Sequence, residues 1–376
     1  MDLKDYRNEI DKIDSELVRL FQERMDIAAH IAEYKKEHNL PILQPARERE
    51  KLMELSGQCR EDLQSYLRVL YSLLFELSRT HQERGQGSPL FDKISHAIEH
   101  TPRLFPRSAT VACQGVEGAY SQLACEKLFR EPQIQYFRNF EGVFSAIEAG
   151  FCRYGILPIE NSTAGSVKQV YDLMVERQFS IVRSTRLKID HCLLARPDHE
   201  EIREIFSHEQ ALAQCAGFLK TLGNVKVTVC ENTAMAAQKV AFSDRRDIAA
   251  LSARPCAELY GLQVLKASVQ DKGNNHTRFL CIAKDTEIYP GADKTTVMLT
   301  LPHRPGSLYK VLARLYALGI NLLKLESRPL PDRDFEFLFY LDLETSVYSE
   351  EFARLMSELG SICEDFKYLG SYSEVV

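Results

Sequence analysis

The chain has 376 residues, 45% of them hydrophobic and 27% charged, with a formal net charge of −6. That length exceeds the ~250–300 residues at which a single core stops growing, so two or three domains are expected. The mild negative balance gives no basis for nucleic-acid or anionic-membrane binding, and no apolar run reaches the ~18 residues of a membrane span.

The N-terminus, MDLKDYRNEIDKID, is acidic and helical in pattern, unlike a signal or transit peptide. The ten cysteines are scattered singly without Cys-x-x-Cys, the usage of reduced thiols in a cytoplasmic protein, and no metal or cofactor is expected. Residues 1–84 read as all-helical. Leu3, Tyr6, Ile10, Ile13, Leu17, Leu20, Ile27 and Ile31 recur at spacings of three and four, predicting one helix to about His38. Pro41 and Pro45 punctuate a loop, Gly57 closes a short second helix, and a third starts near Glu61. Helices this unequal cannot bury so long a stripe within one chain, so a homodimer or higher homo-oligomer is expected.

Arg24 and Lys35 interrupt the stripe where Leu or Ile belongs, and a buried cation needs an anion. Snorkelling at the helix end is an alternative for Lys35. Arg7 projects roughly 80–100° away, out of reach of the same pocket but open to a partner's. The second helix adds Arg47 and Glu48; the third adds Ser78 and Gln82, four apart on one face. Cations, one acid and neutral donors around an apolar bundle suit a small dianion bearing a hydroxyl. No activated nucleophile stands among them, so such a site would work by orientation and electrostatics; a charged dimerisation arm is the competing reading.

Residues 85–107 read as a linker with room for one short helix. Beyond it strands and helices alternate, predicting an α/β domain over 108–285 with a mainly parallel sheet and two lobes around a cleft. In NNHTRFL (274–280) a threonine and an arginine stand before an apolar strand, as a solvent-exposed turn or as groups facing a substrate. Residues 295–373 read βαββαβ, an α+β ferredoxin-like arrangement.

Together these motifs resemble a known family. Arg7, ERMDIA, EYKK, ARERE, Ser78 and Gln82 resemble the all-helical chorismate mutases. GVEGAYS (115–121), LPIENSTAGSV (157–167), SHEQALAQC (207–215), ENTAMAA (231–237) and NNHTRF (274–279) resemble prephenate dehydratase, with its periplasmic-binding-protein-like lobes. LPHRPGSLYKVL (301–312) and LESRP (325–329) resemble ACT regulatory domains. The resemblance implies a bifunctional enzyme of phenylalanine synthesis acting on chorismate and prephenate, with L-phenylalanine as feedback inhibitor. By resemblance, Arg24, Arg47 and a partner's Arg7 hold chorismate's carboxylates. Lys35 and Gln82 donate to its ether oxygen, and Glu48 meets its ring hydroxyl. Ser78 and Gln44 would complete the pocket, Gln44 departing from the aspartate of the best-known member. Thr277 is the implied essential residue of dehydration, with Arg278 binding a carboxylate or orienting the loop and Phe279 completing the motif. Glu160, Asn161, Ser162 and Thr163 would line one side of the cleft, with the amides of Ser166 and Val167 capturing a carboxylate. Ser207, His208, Gln210 and Thr233 would stand opposite, His208 as cleft donor or structural residue. Gly306, Ser307, Leu308, Glu326, Ser327 and Arg328 would bind phenylalanine. A dehydratase with a purely dimerising helical domain, a binding protein with no catalysis, and a preference for arogenate are the alternatives.

Overall fold

The computed structural model describes residues 2–38, 40, 44–83, 89–330 and 337–376. Pro41, the last residue of the helical segment (84), the linker residues 85–88 and the first two residues of the strand expected over 335–343 lie outside them. The chain divides into two compact units, residues 1–89 with 356–362, and residues 90–355 with 363–376.

In the first unit, α1 (Leu3–Glu37) is the long helix that the apolar spacing predicts. Asp2 caps it, its carboxylate accepting from the amides of Lys4 (2.8 Å) and Asp5 (2.9 Å), while Asp5 accepts from the amide of Asp2. Helix α2 (Pro45–Gln58) starts on its proline and runs one residue past Gly57, which does not end it. Helix α3 (Gln64–Glu83) follows a single 3₁₀ turn over Glu61–Leu63 and packs on both other helices. Leu3, Tyr6, Ile10, Ile13, Leu17, Leu20, Ile27 and Ile31 all remain exposed, an apolar stripe broken at Arg24 that the described residues leave uncovered.

The second unit opens with α4 (Pro89–His100), a three-turn helix in the segment read as a linker with room for one short helix. Its Ile94 and Ala97 are buried, so it is part of the fold. Next come β1 (Thr110–Gln114), α5 (Tyr120–Leu128), β2 (Gln133–Phe137), α6 (Phe140–Glu148), β3 (Tyr154–Asn161), β4 (Gly165–Ser166), α7 (Lys168–Glu176) and β5 (Ser180–Lys188). The chain then crosses to a second lobe: β6 (His191–Ala195), β7 (Glu204–Ser207), α8 (Glu209–Gln214), α9 (Ala216–Thr221), β8 (Lys226–Val229), α10 (Thr233–Ala241), β9 (Ile248–Ala253), α11 (Pro255–Leu259) and β10 (Gln263–Lys266). It returns through β11 (His276–Ala283) to the first. The two crossings, after β5 and after β10, make a two-lobed α/β body with a cleft between sheets.

Both sheets are mixed, which corrects the expected mainly parallel arrangement. In the first lobe β1 runs parallel to β2 and β3, but β11 is antiparallel to both β3 and β5. In the second, β7 is parallel to β8 and β9, while β6 is antiparallel to β9 and β10. The reversed strands β6 and β11 are the ones that carry the chain between lobes.

The last segment is β12 (Lys294–Thr300), α12 (Ser307–Ala317), β13 (Asn321–Pro329), β14 (Phe337–Glu344), α13 (Glu350–Ile362) and β15 (Asp365–Val375), the expected βαββαβ order. Its sheet joins that of the first lobe. The end of β15 pairs in parallel with β5, giving the order β13-β14-β12-β15-β5-β11-β3-β1-β2. At the crossing Gly370 has φ 143°, and a Cβ there would stand 2.3 Å from the carbonyl oxygen of Ile181. Only glycine lets the two backbones approach this closely.

Candidate active sites

The helical unit brings together most of the charged residues singled out in the sequence. The Arg24 guanidinium donates to Ser78 Oγ and, at 3.1 Å, to the carbonyl of Leu74 on the facing α3 turn, a carbonyl that also accepts from the Ser78 hydroxyl at 2.8 Å. Phe75 lies beneath it, 5.6 Å from the guanidinium carbon to the ring centre. Eleven residues on, Lys35 returns to the same face of α1, three turns away. Burial lowers the pKa of both cations, and the Glu48 carboxylate opposes the shift in both. Glu48 also pairs with Arg79, a cation absent from the sequence reading although it directly follows Ser78. Gln82 Oε1 is buried and has no hydrogen-bond partner among the described residues. Three expected members lie elsewhere. Arg47 is exposed and paired with Glu50, Gln44 is an exposed N-cap, and Arg7 is exposed roughly 25 Å along the axis from Arg24.

In the second unit a cavity of about 660 Å³ separates the lobes. Asn161, Ser166, Val167, Thr277 and Phe279 line it from the first lobe, and His208, Gln210 and Thr233 from the second, as the motifs suggested. At its floor is a network of amides. Asn161 Oδ1 accepts from the backbone amides of Thr163 (3.0 Å) and Ala164 (2.9 Å) and from the Thr163 hydroxyl (2.7 Å). Those backbone donors fix the amide's orientation, so Nδ2 must point the other way. There it donates to Thr277 Oγ1 at 2.9 Å and to Asn275 Oδ1 at 2.8 Å. Asn275 donates in turn to Gln214 Oε1 at 2.8 Å, and Gln214 donates to the Thr163 hydroxyl at 2.8 Å. The Thr277 oxygen is thus an acceptor within the protein, and among the described residues its hydroxyl donates to no other group, leaving it free to donate to a ligand in the cavity that Thr277 lines.

His191 completes the floor. Its Nε2 lies 3.1 Å from Gln214 Oε1, and its ring stands edge-on to Tyr120. Burial holds its pKa below the ordinary histidine value against the opposing hydrogen bond to Gln214 Oε1, so the imidazole is neutral near pH 7. Burial lowers His208 as well; that residue caps α8, its Nδ1 accepting from the Gln210 amide at 3.3 Å. His191, Tyr120, Gln214 and Asn275 were not singled out in the sequence. Gln214 had a signal, since it follows Gln210 by four residues and so shares its face of α8. Arg138 and Glu231, also lining the cavity, form an ion pair at 2.5 Å between the lobes.

Five expected cleft residues stand outside the cavity. Ser207 is fully buried and donates to the Leu251 carbonyl at 2.7 Å. Ser162 ties its loop to the backbone of Asn274 and His276, and Thr163 lines a smaller neighbouring cavity. Glu160 turns to the opposite face of β3 and pairs with Lys324 of β13 at 3.1 Å. Arg278, 8% exposed, turns the same way and forms an ion pair with Asp342 of β14, also donating to the Tyr372 hydroxyl at 2.8 Å. The amide of Val167 donates to the Ile159 carbonyl, so it does not await a carboxylate. Residues of the last segment are engaged with the first lobe too: Glu326 accepts from Ser166 Oγ at 2.7 Å, and Arg328 pairs with Asp172 at 2.5 Å. Gly306 takes the left-handed conformation before α12, with Ser307 as the first helical residue and Leu308 half-buried; Ser327 is exposed on β13.

Because removing one partner strands a buried charge, Asp342→Ala should destabilise the chain by about 3–5 kcal/mol. Arg278→Met with Asp342→Leu should recover most of that stability in urea denaturation. The double variant should keep its affinity for a ligand of the cleft, whereas an Arg278 that held the ligand's carboxylate would lower it.

The chain matches the chorismate mutase type II family over residues 6–83 and the prephenate dehydratase family over residues 111–287. The bifunctional chorismate mutase/prephenate dehydratase of Aquifex aeolicus is 32% identical, covering 100% of this chain and 99% of that protein. The chain belongs to the bifunctional chorismate mutase/prephenate dehydratase family. It carries both activities, rearranging chorismate to prephenate and dehydrating prephenate in phenylalanine biosynthesis. The chloroplastic arogenate dehydratase/prephenate dehydratase 2 of Arabidopsis thaliana is 38% identical over 76% of this chain and 79% of its own. Among solved structures, the prephenate dehydratase of Arthrobacter aurescens in complex with L-Phe is 29% identical with a TM-score of 0.64, covering 70% of this chain and 90% of that one. The mutase match falls on the helical unit and the dehydratase match on the two-lobed α/β body.

Proposed function

We propose that Thr277 promotes the dehydration by donating a hydrogen bond to the ring hydroxyl of prephenate as that group departs, relaying to it a proton that solvent replaces. The electron pair of the breaking bond to the carboxylate aromatises the ring, carbon dioxide leaves, and the departing hydroxide takes a proton to become water. A threonine hydroxyl is a weak acid, so it acts as a hydrogen-bond donor or relay rather than as a free-standing acid. The observation that carries this role is the fixed Asn161 amide, which donates to Thr277 Oγ1 and leaves the hydroxyl proton unspent.

In the mutase, Arg24 and Lys35 hold the dianion while Lys35 and Gln82 donate to the ether oxygen, which gains negative charge as its C–O bond breaks. That favours the transition state over the substrate. The exposed stripe on α1 and the remote, exposed Arg7 support a homodimer in which Arg7 completes the partner's pocket. Residues 294–375 act as an ACT domain that binds phenylalanine and inhibits the dehydratase; the Arthrobacter relative's complex with L-Phe supports this. The contacts of Glu326 with Ser166 and of Lys324 with Glu160 offer a route from that domain to the cleft loop. The setting is cytoplasmic. The Arabidopsis relative's name supports arogenate as a second dehydratase substrate.

A time course with purified protein and chorismate, with and without phenylalanine, tests the whole reading. Prephenate should appear first, phenylpyruvate after a lag, and phenylalanine should suppress the second. If supplied prephenate is dehydrated while chorismate decays only at its spontaneous rate, the helices only dimerise the enzyme. If phenylalanine has no effect, the regulatory assignment fails.

A further inference from the structure

Away from the cleft, and sharing no lining residue with it, a cavity of about 350 Å³ is bordered by Arg107, Arg130 and Arg183 together with Leu104, Phe105 and Pro106. No acid lines it. Among the described residues none of the three guanidiniums forms an ion pair with a carboxylate. Arg183 is the innermost. Its guanidinium carbon lies 4.0 Å from the centre of the Phe105 ring, and its Nε is buried without a hydrogen-bond partner. Phe105 is itself wedged among Phe129 at 4.9 Å, Tyr289 at 4.9 Å and Tyr154 at 5.7 Å. The cation therefore rests on a rigid aromatic platform and is oriented before any ligand arrives. Arg107 and Arg130 are exposed at the rim. Burial also lowers the pKa of Arg183, the mark of a half-buried cation lacking an anion.

Three like charges around one cavity repel each other, and Arg183 carries an uncompensated desolvation cost; a multiply charged anion would relieve both. A planar carboxylate satisfies one guanidinium fork. A tetrahedral oxyanion presents acceptors in several directions and can engage forks from three sides. We infer that this cavity binds a phosphorylated small molecule, its phosphate held by Arg107, Arg130 and Arg183 and its apolar portion resting on Leu104 and Pro106.

The test uses the full chain titrated with inorganic pyrophosphate at constant ionic strength, followed by calorimetry and thermal denaturation, with malonate as a dicarboxylate control. Saturable binding with a rise in Tm is expected, with malonate much weaker. Arg107→Ser and Arg130→Ser change exposed side chains and should fold normally. Each should weaken pyrophosphate roughly tenfold and the double variant should abolish binding, with prephenate dehydration unchanged. Arg183→Gln should also abolish binding, but the double variant decides the matter should Arg183→Gln fail to fold. The inference is overturned if pyrophosphate shows no saturable binding below ~10 mM, or if the double variant binds it as tightly as the parent chain. Equal affinity for malonate would overturn the assignment to phosphate.

Discussion

Thr277→Val lowers kcat for prephenate dehydration by roughly 10²–10³-fold, the scale seen when a preorganised donor to a developing anion is removed. It leaves chorismate rearrangement by the same preparation unchanged. Valine nearly matches threonine in volume, so the strand and the bulk of the cavity floor persist and only the proton is lost. KM for prephenate should change little, because the bond to the departing oxygen strengthens as that oxygen becomes hydroxide. Thr277→Ser retains the hydroxyl and should keep a substantial part of the rate. The measurement is steady-state phenylpyruvate formation from supplied prephenate, with mutase activity assayed in parallel. Should Thr277→Val lose rate only through KM, the hydroxyl would be a ground-state contact and the leaving group would find its proton elsewhere.

Arg24→Ala removes a half-buried cation held by Ser78 and the Leu74 carbonyl at the centre of the helical site. Its loss should cost about 10²–10³-fold in kcat/KM for chorismate, the penalty of stripping a desolvated ion pair from its partner. Dehydration of supplied prephenate should be untouched. Arg7→Ala should fall as far, although Arg7 lies remote from the pocket of its own chain. Mixing the two inactive variants then gives a specific result. A mixed dimer has one pocket lacking both arginines and one lacking neither, so random reassortment should restore about a quarter of the parental mutase rate. If the mixture stays inactive while its subunits demonstrably exchange, Arg7 does not cross to the partner.

The long-range plan of the molecule was legible in the sequence where periodicity was strong. The three-and-four spacing from Leu3 to Ile31 gave α1 nearly to the residue, and the βαββαβ order emerged from apolar runs set between turn residues. Strand β2, with residues QIQYF, was not singled out, because its edge position leaves it half polar and without a marked apolar run. The direction of β6 and β11 was hidden for another reason: it follows from the chain crossing between lobes, which no local pattern encodes. The errors at the cleft, in contrast, had their remedy in the sequence. Successive strand residues point to opposite faces, so a Thr277 that faces the substrate forces Arg278 away from it, and Asn161 does the same to Glu160. Reading ENST and HTRF as blocks of function obscured that alternation. Gln214 and His191 come together with Asn161 only because two lobes meet. Of these, Gln214 alone carried a local signal.

The pairing of β15 with β5 has a mechanical consequence. Residues 294–375 are not hung from the dehydratase lobe by a flexible tether; strand β14, which holds Asp342, and strand β11, which holds Thr277, belong to one hydrogen-bonded plate only a few strands wide between them. The plate is continuous across the seam, where the backbones touch at Gly370, and like any sheet its strands are twisted on one another. A rearrangement at its far edge would therefore reach the cleft as a small rotation of β11, re-aiming one hydroxyl, without any lid having to open or close.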